Sequence, residues 1–287
     1  MTAPTAKPNI IWLIVAAAFF METLDGTVIA TALPQMAATF RTNPVNLSIG
    51  MTSYLVTLAV FIPISGWVAD RLGPRRVFAW AVAAFTLASI LCALSTTVAQ
   101  FTAARVFQGM AGAMMVPVGR LAVLRNTGKE DLVRAMAFIV WPGLIAPVIG
   151  PPLGGFLATY LSWQWIFLLN VPLGVAGVFL IRAYIPESAP QPRRPLDVMG
   201  FALSGLALSF LMAGVELLGY GGRWQLGALL VAASIALGIA LAAHLRRHPH
   251  PLIDPTIMAV PSFRTVMIGG TIARTAISAM PFLLPLL

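Results

Sequence analysis

An all-helical bundle that crosses a bilayer many times is the fold class this sequence predicts, and three observations predict it. Hydrophobic residues make up 59% of the 287, charged residues only 9%, and the mean hydropathy is +0.89. Apolar runs of roughly the 20 residues that span the hydrocarbon core recur along the whole chain. Basic residues fall between those runs with a strong bias to one side. No soluble domain of this size has such a composition.

The runs lie at about 10–33, 48–69, 77–97, 100–122, 135–159, 164–185, 198–220, 225–244 and 264–287, nine candidate helices in all. The first begins close to Lys7 and is interrupted by Glu22, so an uncleaved span is expected there rather than a signal peptide. Of the eighteen Lys and Arg, Arg41 and Arg223 fall on one side and Arg105 and Arg274 within spans; the other fourteen share the opposite side. By the positive-inside rule that side is cytoplasmic, and so is the N-terminus. Trp163, Trp165 and Trp224 fall near the outer ends, where indole rings favour the interface.

The net charge of +9 is accounted for by this bias, and a nucleic-acid partner is excluded because the cations punctuate apolar runs instead of forming a polar face. Cys92 is the single cysteine and lies in an apolar run, which excludes a disulfide framework. The connector 186–197, PESAPQPRRPLD, carries Arg193, Arg194 and four prolines and reads as a cytoplasmic linker. The expected organisation is therefore a six-helix bundle (1–185), that linker (186–197), two further helices (198–245), a second connector (246–263) and one more helix (264–287). At and just before the second connector His244, His248 and His250 with Asp254 imitate a metal site. Pro249 and Pro251 break the helical spacing, so the reading is a solvated linker with no metal, and no cofactor is expected. The chain stops at FLLPLL, within an apolar span, which suggests a piece of a longer protein.

Ionisable groups inside spans are functional candidates because they are costly there. Glu22 and Asp25 lie three residues apart on one face of the first helix, and two such carboxylates suit reversible proton loading. Arg105, on the fourth helix with Gln108 one turn on, stays charged, so it modulates a carboxylate or binds an anion. A purely structural pairing of Arg105 with a helix-one carboxylate is the plainer reading, and the two are compatible. Glu216 lies near an outer helix end and carries little weight, and the partners of Arg274 would lie beyond Leu287.

Two further stretches bear on movement. GWVADRLGPRRVF (residues 66–78) places Asp70, Arg71, Arg75 and Arg76 around Gly73–Pro74, with Gly66 one turn before Asp70. It reads as a positive-inside hairpin or as a charge latch holding one state of a rocking bundle. GLIAPVIGPPLGG (residues 143–155) holds Gly143, Gly150, Gly154 and Gly155 together with Pro147, Pro151 and Pro152. Prolines free backbone carbonyls that lipid cannot satisfy, so this helix is expected to be kinked and buried in a bundle. Its one-turn spacing of small residues predicts a close helix crossing, or a bending and sealing element of a transporter.

Together these stretches resemble the major facilitator superfamily, and within it the fourteen-helix drug:proton antiporters of the EmrB/QacA type. LDGTVIATALP (24–34) is similar to that family's helix-one motif, with Ala30 where asparagine is usual. Residues 66–78 are similar to the superfamily's loop 2–3 signature, with Pro74 in place of a basic residue. Residues 105–113 resemble the helix-four arginine motif, residues 143–155 the antiporter motif of helix five, and WQWIFLLNVPLG (163–174) a stretch typical of the drug-antiporter branch. The resemblance implies an N-terminal six-helix half, two linker helices and the first helix of the second half, five helices being absent. It implies proton-coupled efflux of small molecules by alternating access. Protons would pass through Asp25 and Glu22, tuned by Arg105, Gln108 and Arg274 would face the cavity, and the location would be a bacterial inner membrane in contact with lipid. The other reading is a non-transporting membrane scaffold that keeps half of a transporter fold. An intramembrane enzyme is set aside because no nucleophile–base pair is visible.

Overall fold

The structure is a computed structural model that describes residues 8–187, 195–219 and 223–283, with the side chains of Pro8, Val45 and 274–283 excluded. Lys7, Arg193, Arg194, the Arg274 side chain and residues 284–287 lie outside the described residues. Among those described, eight helical spans are long and apolar enough to cross a membrane. A further helix, α11 (Pro261–Leu283), follows them. The chain is all-α, as its composition requires.

The first span is not one helix. It runs as α1 (Pro8–Val28), a 3-10 turn (Ile29–Ala32) and α2 (Leu33–Thr39). Pro34 has no N–H to offer the carbonyl of Ala30, so the regular ladder gives way there. Next come α3 (Pro44–Leu72), α4 (Pro74–Leu94) and α5 (Val98–Asn126). These helices outrun their apolar segments because they end at stop signals and not at the hydrophobic boundary. Gly73 separates α3 from α4 at φ 87°, a value that favours glycine, and Pro74 opens the next helix. The Thr97 side chain caps α5 by accepting from the Gln100 N–H at 3.2 Å.

The helix α6 (Leu132–Tyr160) remains one continuous α-helix through four prolines. Within this chain its burial is one-sided: Pro147, Pro151 and Pro152 are exposed, and the face holding Gly143, Gly150 and Gly154 is buried. That face lies on α1. A β-carbon at Gly143 would collide with the Phe19 ring, at Gly150 with the Thr27 side chain, and at Gly154 with the Val28 carbonyl oxygen 2.5 Å away. Gly155 looks onto open space. The glycines thus remove side chains where two backbones meet, as small residues do in membranes.

The sixth span is also split, into α7 (Trp165–Leu168) and α8 (Asn170–Tyr184), with Pro172 two residues into α8. Packing pairs α1 with α6, α3 with α5, and α4 with both α5 and α8. One core cluster gathers Trp12, Val15, Phe78, Phe85, Met115 and Ile181. A second gathers Leu24, Met36, Phe101, Trp163 and Phe167.

The last pair, α9 (Val198–Gly219) and α10 (Trp224–Arg247), forms a hairpin docked on α3. The Phe61 and Phe201 rings meet edge-on at 5.6 Å, and Thr52 on α3 donates to Glu216 at 3.3 Å. Glu216 is therefore tied across an interface. Large apolar side chains such as Phe179 (78% exposed) cover the outside, as a lipid-facing surface requires.

Replacing Gly154 by alanine is expected to destabilise the protein by about 1–3 kcal/mol through overpacking of α6 on α1. Gly155→Ala, which meets nothing, should be neutral or slightly stabilising. Thermal unfolding of both variants in detergent checks the contrast.

Candidate functional site

Between the two apolar clusters lies a polar knot built from four helices. The α5 spacing places Arg105 and Gln108 on one face, one turn apart, and both are buried at 1% and 0% exposure. The same face meets Asp25 of α1, 2% exposed. Arg105 Nη1 donates to Asp25 Oδ2 at 2.5 Å and to Gln108 Oε1 at 2.5 Å. Gln108 Nε2 donates to Asp25 Oδ1 at 2.9 Å and to Ser89 Oγ of α4 at 2.9 Å. Asn170, at the start of α8, donates to Asp25 Oδ1 at 3.0 Å and to Ser89 Oγ at 3.1 Å. Ser89 passes its own proton to the Phe85 carbonyl at 3.0 Å.

Each polar group facing Asp25 is a donor, so the arrangement fits an ionised carboxylate. The Arg105 guanidinium lies 4.1 Å from the centre of the Tyr54 ring, on α3, and 5.9 Å from that of Phe167. A cation over an aromatic face in a dry setting adds attraction without another anion. The knot is not fully saturated. Arg105 Nε, Tyr54 Oη and Glu22 Oε2 are buried and lack a hydrogen-bond partner among the described residues. Unsatisfied buried atoms at a paired charge mark a place where water or a second arrangement fits.

The sequence-expected residues therefore separate. Asp25, Arg105 and Gln108 come together directly. Glu22, partly buried, does not join the ion pair. Gln108 presents its amide to Asp25 and Ser89, wholly inside the knot. Ser89, Asn170 and Tyr54 were not singled out. The signal for Asn170 was an amide in the otherwise apolar WIFLLNVPLG; Ser89 had none, since small hydroxyls are common in membrane helices.

At one end of the bundle Asp70, Arg75 and Arg76 of the 66–78 turn find partners on other parts of the chain. Asp70 accepts from Arg125, at the end of α5, at 2.8 Å. Arg71 stacks over Trp67 at 5.2 Å. Arg75 donates to the Arg182 carbonyl at the end of α8, and Arg76 pairs with Glu187. Gly66 has open space where a β-carbon would sit, so close packing does not require it. At the same end Trp12 Nε1 donates to Thr127 Oγ1 at 2.9 Å, tying the start of α1 to the end of α5.

The histidine reading needs correction. Asp254 is occupied in capping the turn 255–259, accepting from the Thr256 N–H at 2.9 Å. His244 is no solvated linker residue: its Nε2 lies 2.8 Å from Oδ1 of the buried Asp197. Burial alone would push the Asp197 carboxyl up. The Gly200 N–H, His244 and the Leu252 N–H together hold it below the usual carboxylate range.

The profile of the Major Facilitator Superfamily matches residues 15–287. The chain belongs to this superfamily. Among curated relatives it is similar to proteins named "Putative multidrug resistance protein MdtD". The one from Serratia proteamaculans is 41% identical over 277 residues, 95% of this chain and 57% of that protein. The one from Pectobacterium atrosepticum is 40% identical over 292 residues, 100% of this chain and 61% of that protein. The chain thus spans about three-fifths of the length of the relatives it matches. Two solved structures align with it. The human organic anion transporter MFSD10 (TETRAN) has a TM-score of 0.54 at 18% identity, over 85% of this chain and 74% of that one. The POT family transporter PepTSo has a TM-score of 0.56 at 13% identity, over 86% and 56%. These two likenesses speak to the fold alone.

Asp25→Ala and Arg105→Ala are each expected to cost about 3–5 kcal/mol, because each leaves a buried charge unpaired. The double variant should cost clearly less than the sum. A double-mutant cycle on unfolding in detergent measures the coupling.

Proposed function

We propose that this chain is the proton-handling part of an exporter of small molecules, with Asp25 as the residue that takes up and releases the proton. The observation that carries the reading is the fully buried Asp25–Arg105 pair, in which one carboxylate gathers donors from α5 and α8. A protonated Asp25 gives up the Coulomb attraction to Arg105, and one of its oxygens turns from acceptor to donor. The helix α1 then loses its strongest tie to α5, so proton uptake and helix separation become one event.

Glu22, three residues from Asp25 on the same helix and with an unpartnered oxygen, is placed to relay the proton. The 3-10 turn at 29–32 gives the outer part of the first span freedom to move apart from α1. The exposed proline-bearing surface of α6 faces the second half of the transporter, and small-molecule substrates are handled between the halves. The relatives named as multidrug resistance proteins support this substrate class. The setting is a bacterial inner membrane. The end carrying Asp70, Arg75, Arg125 and Arg182 faces the cytoplasm, as positive residues do. There the Asp70–Arg125 pair and the arginine contacts latch one conformational state.

In the full-length transporter reconstituted in liposomes, Asp25→Asn is expected to abolish substrate export driven by an imposed proton gradient. Substrate exchange without a gradient should be retained. Gradient-driven export at the wild-type rate would refute the assignment.

The Asp70–Arg125 pair is partly solvent-exposed, so Asp70→Arg should change stability by no more than about 1 kcal/mol. The same change is expected to slow transport several-fold, with recovery in the Asp70→Arg, Arg125→Asp double variant. Initial rates of efflux beside melting temperatures separate the two effects.

A further inference from the structure

We infer that Asp197, His244 and His248 form a binding site for a divalent transition-metal cation that staples the α9–α10 hairpin at its connector end. The donor atoms of these three residues lie within 4.8 Å of one another. His244 is in the last turn of α10 and His248 follows it one turn on, so the rings lie on one side, 5.1 Å between centroids. Asp197 precedes α9 and is brought to them only by the hairpin.

The surroundings favour a ligand role. Asp197 is 3% exposed, and its carboxylate is oriented by the Gly200 N–H on Oδ1 at 2.8 Å and the Leu252 N–H on Oδ2 at 3.2 Å. Metal-binding carboxylates are commonly fixed by such second contacts. His244 Nε2 already stands 2.8 Å from Asp197 Oδ1. Ligand atoms around a tetrahedral zinc stand about 3.3 Å apart, given bonds of about 2.0–2.1 Å. A cation would take the place of the proton shared between them, and a modest rotation of the His248 side chain at the helix end would complete three protein ligands. A fourth position stays open to water.

Two imidazoles and one carboxylate suit zinc, cobalt or nickel, and not magnesium or calcium, which take oxygen ligands. Such an ion would join the connector before α9 to the end of α10, beside the segment that Leu252 already ties to Asp197.

The test uses the protein purified in detergent without a polyhistidine tag and stripped with a chelator. Cobalt(II) is titrated while its ligand-field absorption is recorded, and zinc is then added in competition. The wild type is expected to bind one cobalt with visible bands of low-symmetry nitrogen and oxygen coordination, displaced by one zinc. His248→Ala leaves the His244–Asp197 contact in place but should weaken binding more than about tenfold. His250→Ala should bind as the wild type does. The proposal is overturned if the wild type shows no saturable cobalt site, or if His248→Ala and His244→Ala both bind cobalt as tightly as the wild type.

Discussion

A single charged contact sets the terms for the packing of the first six spans. Arg105 and Asp25 are both nearly inaccessible, and a charge so far from water persists only when paired and hydrogen-bonded. That requirement brings α1 against α5, then draws in Ser89 from α4 and Asn170 from α8 as the remaining donors and acceptors. The apolar clusters above and below the knot could slide with little loss, since dispersion has no direction. The ion pair cannot, because each hydrogen bond has a fixed length and angle. The knot therefore supplies register, and the clusters supply most of the buried area.

The opposite device governs α1 and α6. Among the described residues no hydrogen bond is seen between them; instead Gly143, Gly150 and Gly154 present bare backbone to Phe19, Thr27 and Val28. The Thr27 and Thr31 hydroxyls turn inward to their own helix, Thr31 Oγ1 donating to the Val28 carbonyl at 2.9 Å, so the seam needs nothing from its partner. An interface without directional bonds suits helices that shift against one another. A polar side of α1 and a smooth side of the same helix thus meet different neighbours.

At the basic end the charges work across elements. Asp70 reaches Arg125, Arg75 reaches the α8 terminus, and Arg76 reaches Glu187 just beyond it, so the short 66–78 turn contacts the ends of two other helices. Exposed pairs of this sort contribute little to stability. The α9–α10 hairpin is held differently, by aromatic packing on α3 and by Asp197 at its connector end.

Much of this protein was legible in its amino-acid order. Hydropathy located the spans, because lipid demands about 20 apolar residues and an internally bonded backbone. The cost of intramembrane charge singled out Asp25 and Arg105, and their spacing put Gln108 beside Arg105. Glycine spacing on α6 announced a close crossing, and the motif order announced the superfamily. Other features depended on three-dimensional proximity between residues far apart in the chain. Nothing local tells that Asn170 points at Asp25, that Arg125 is the partner of Asp70, or that His244 meets Asp197 and not Asp254. Nor does composition reveal that the prolines of α6 lie on its exposed side. A helix fixes which residues share a face; which neighbour that face meets is decided only when the helices pack.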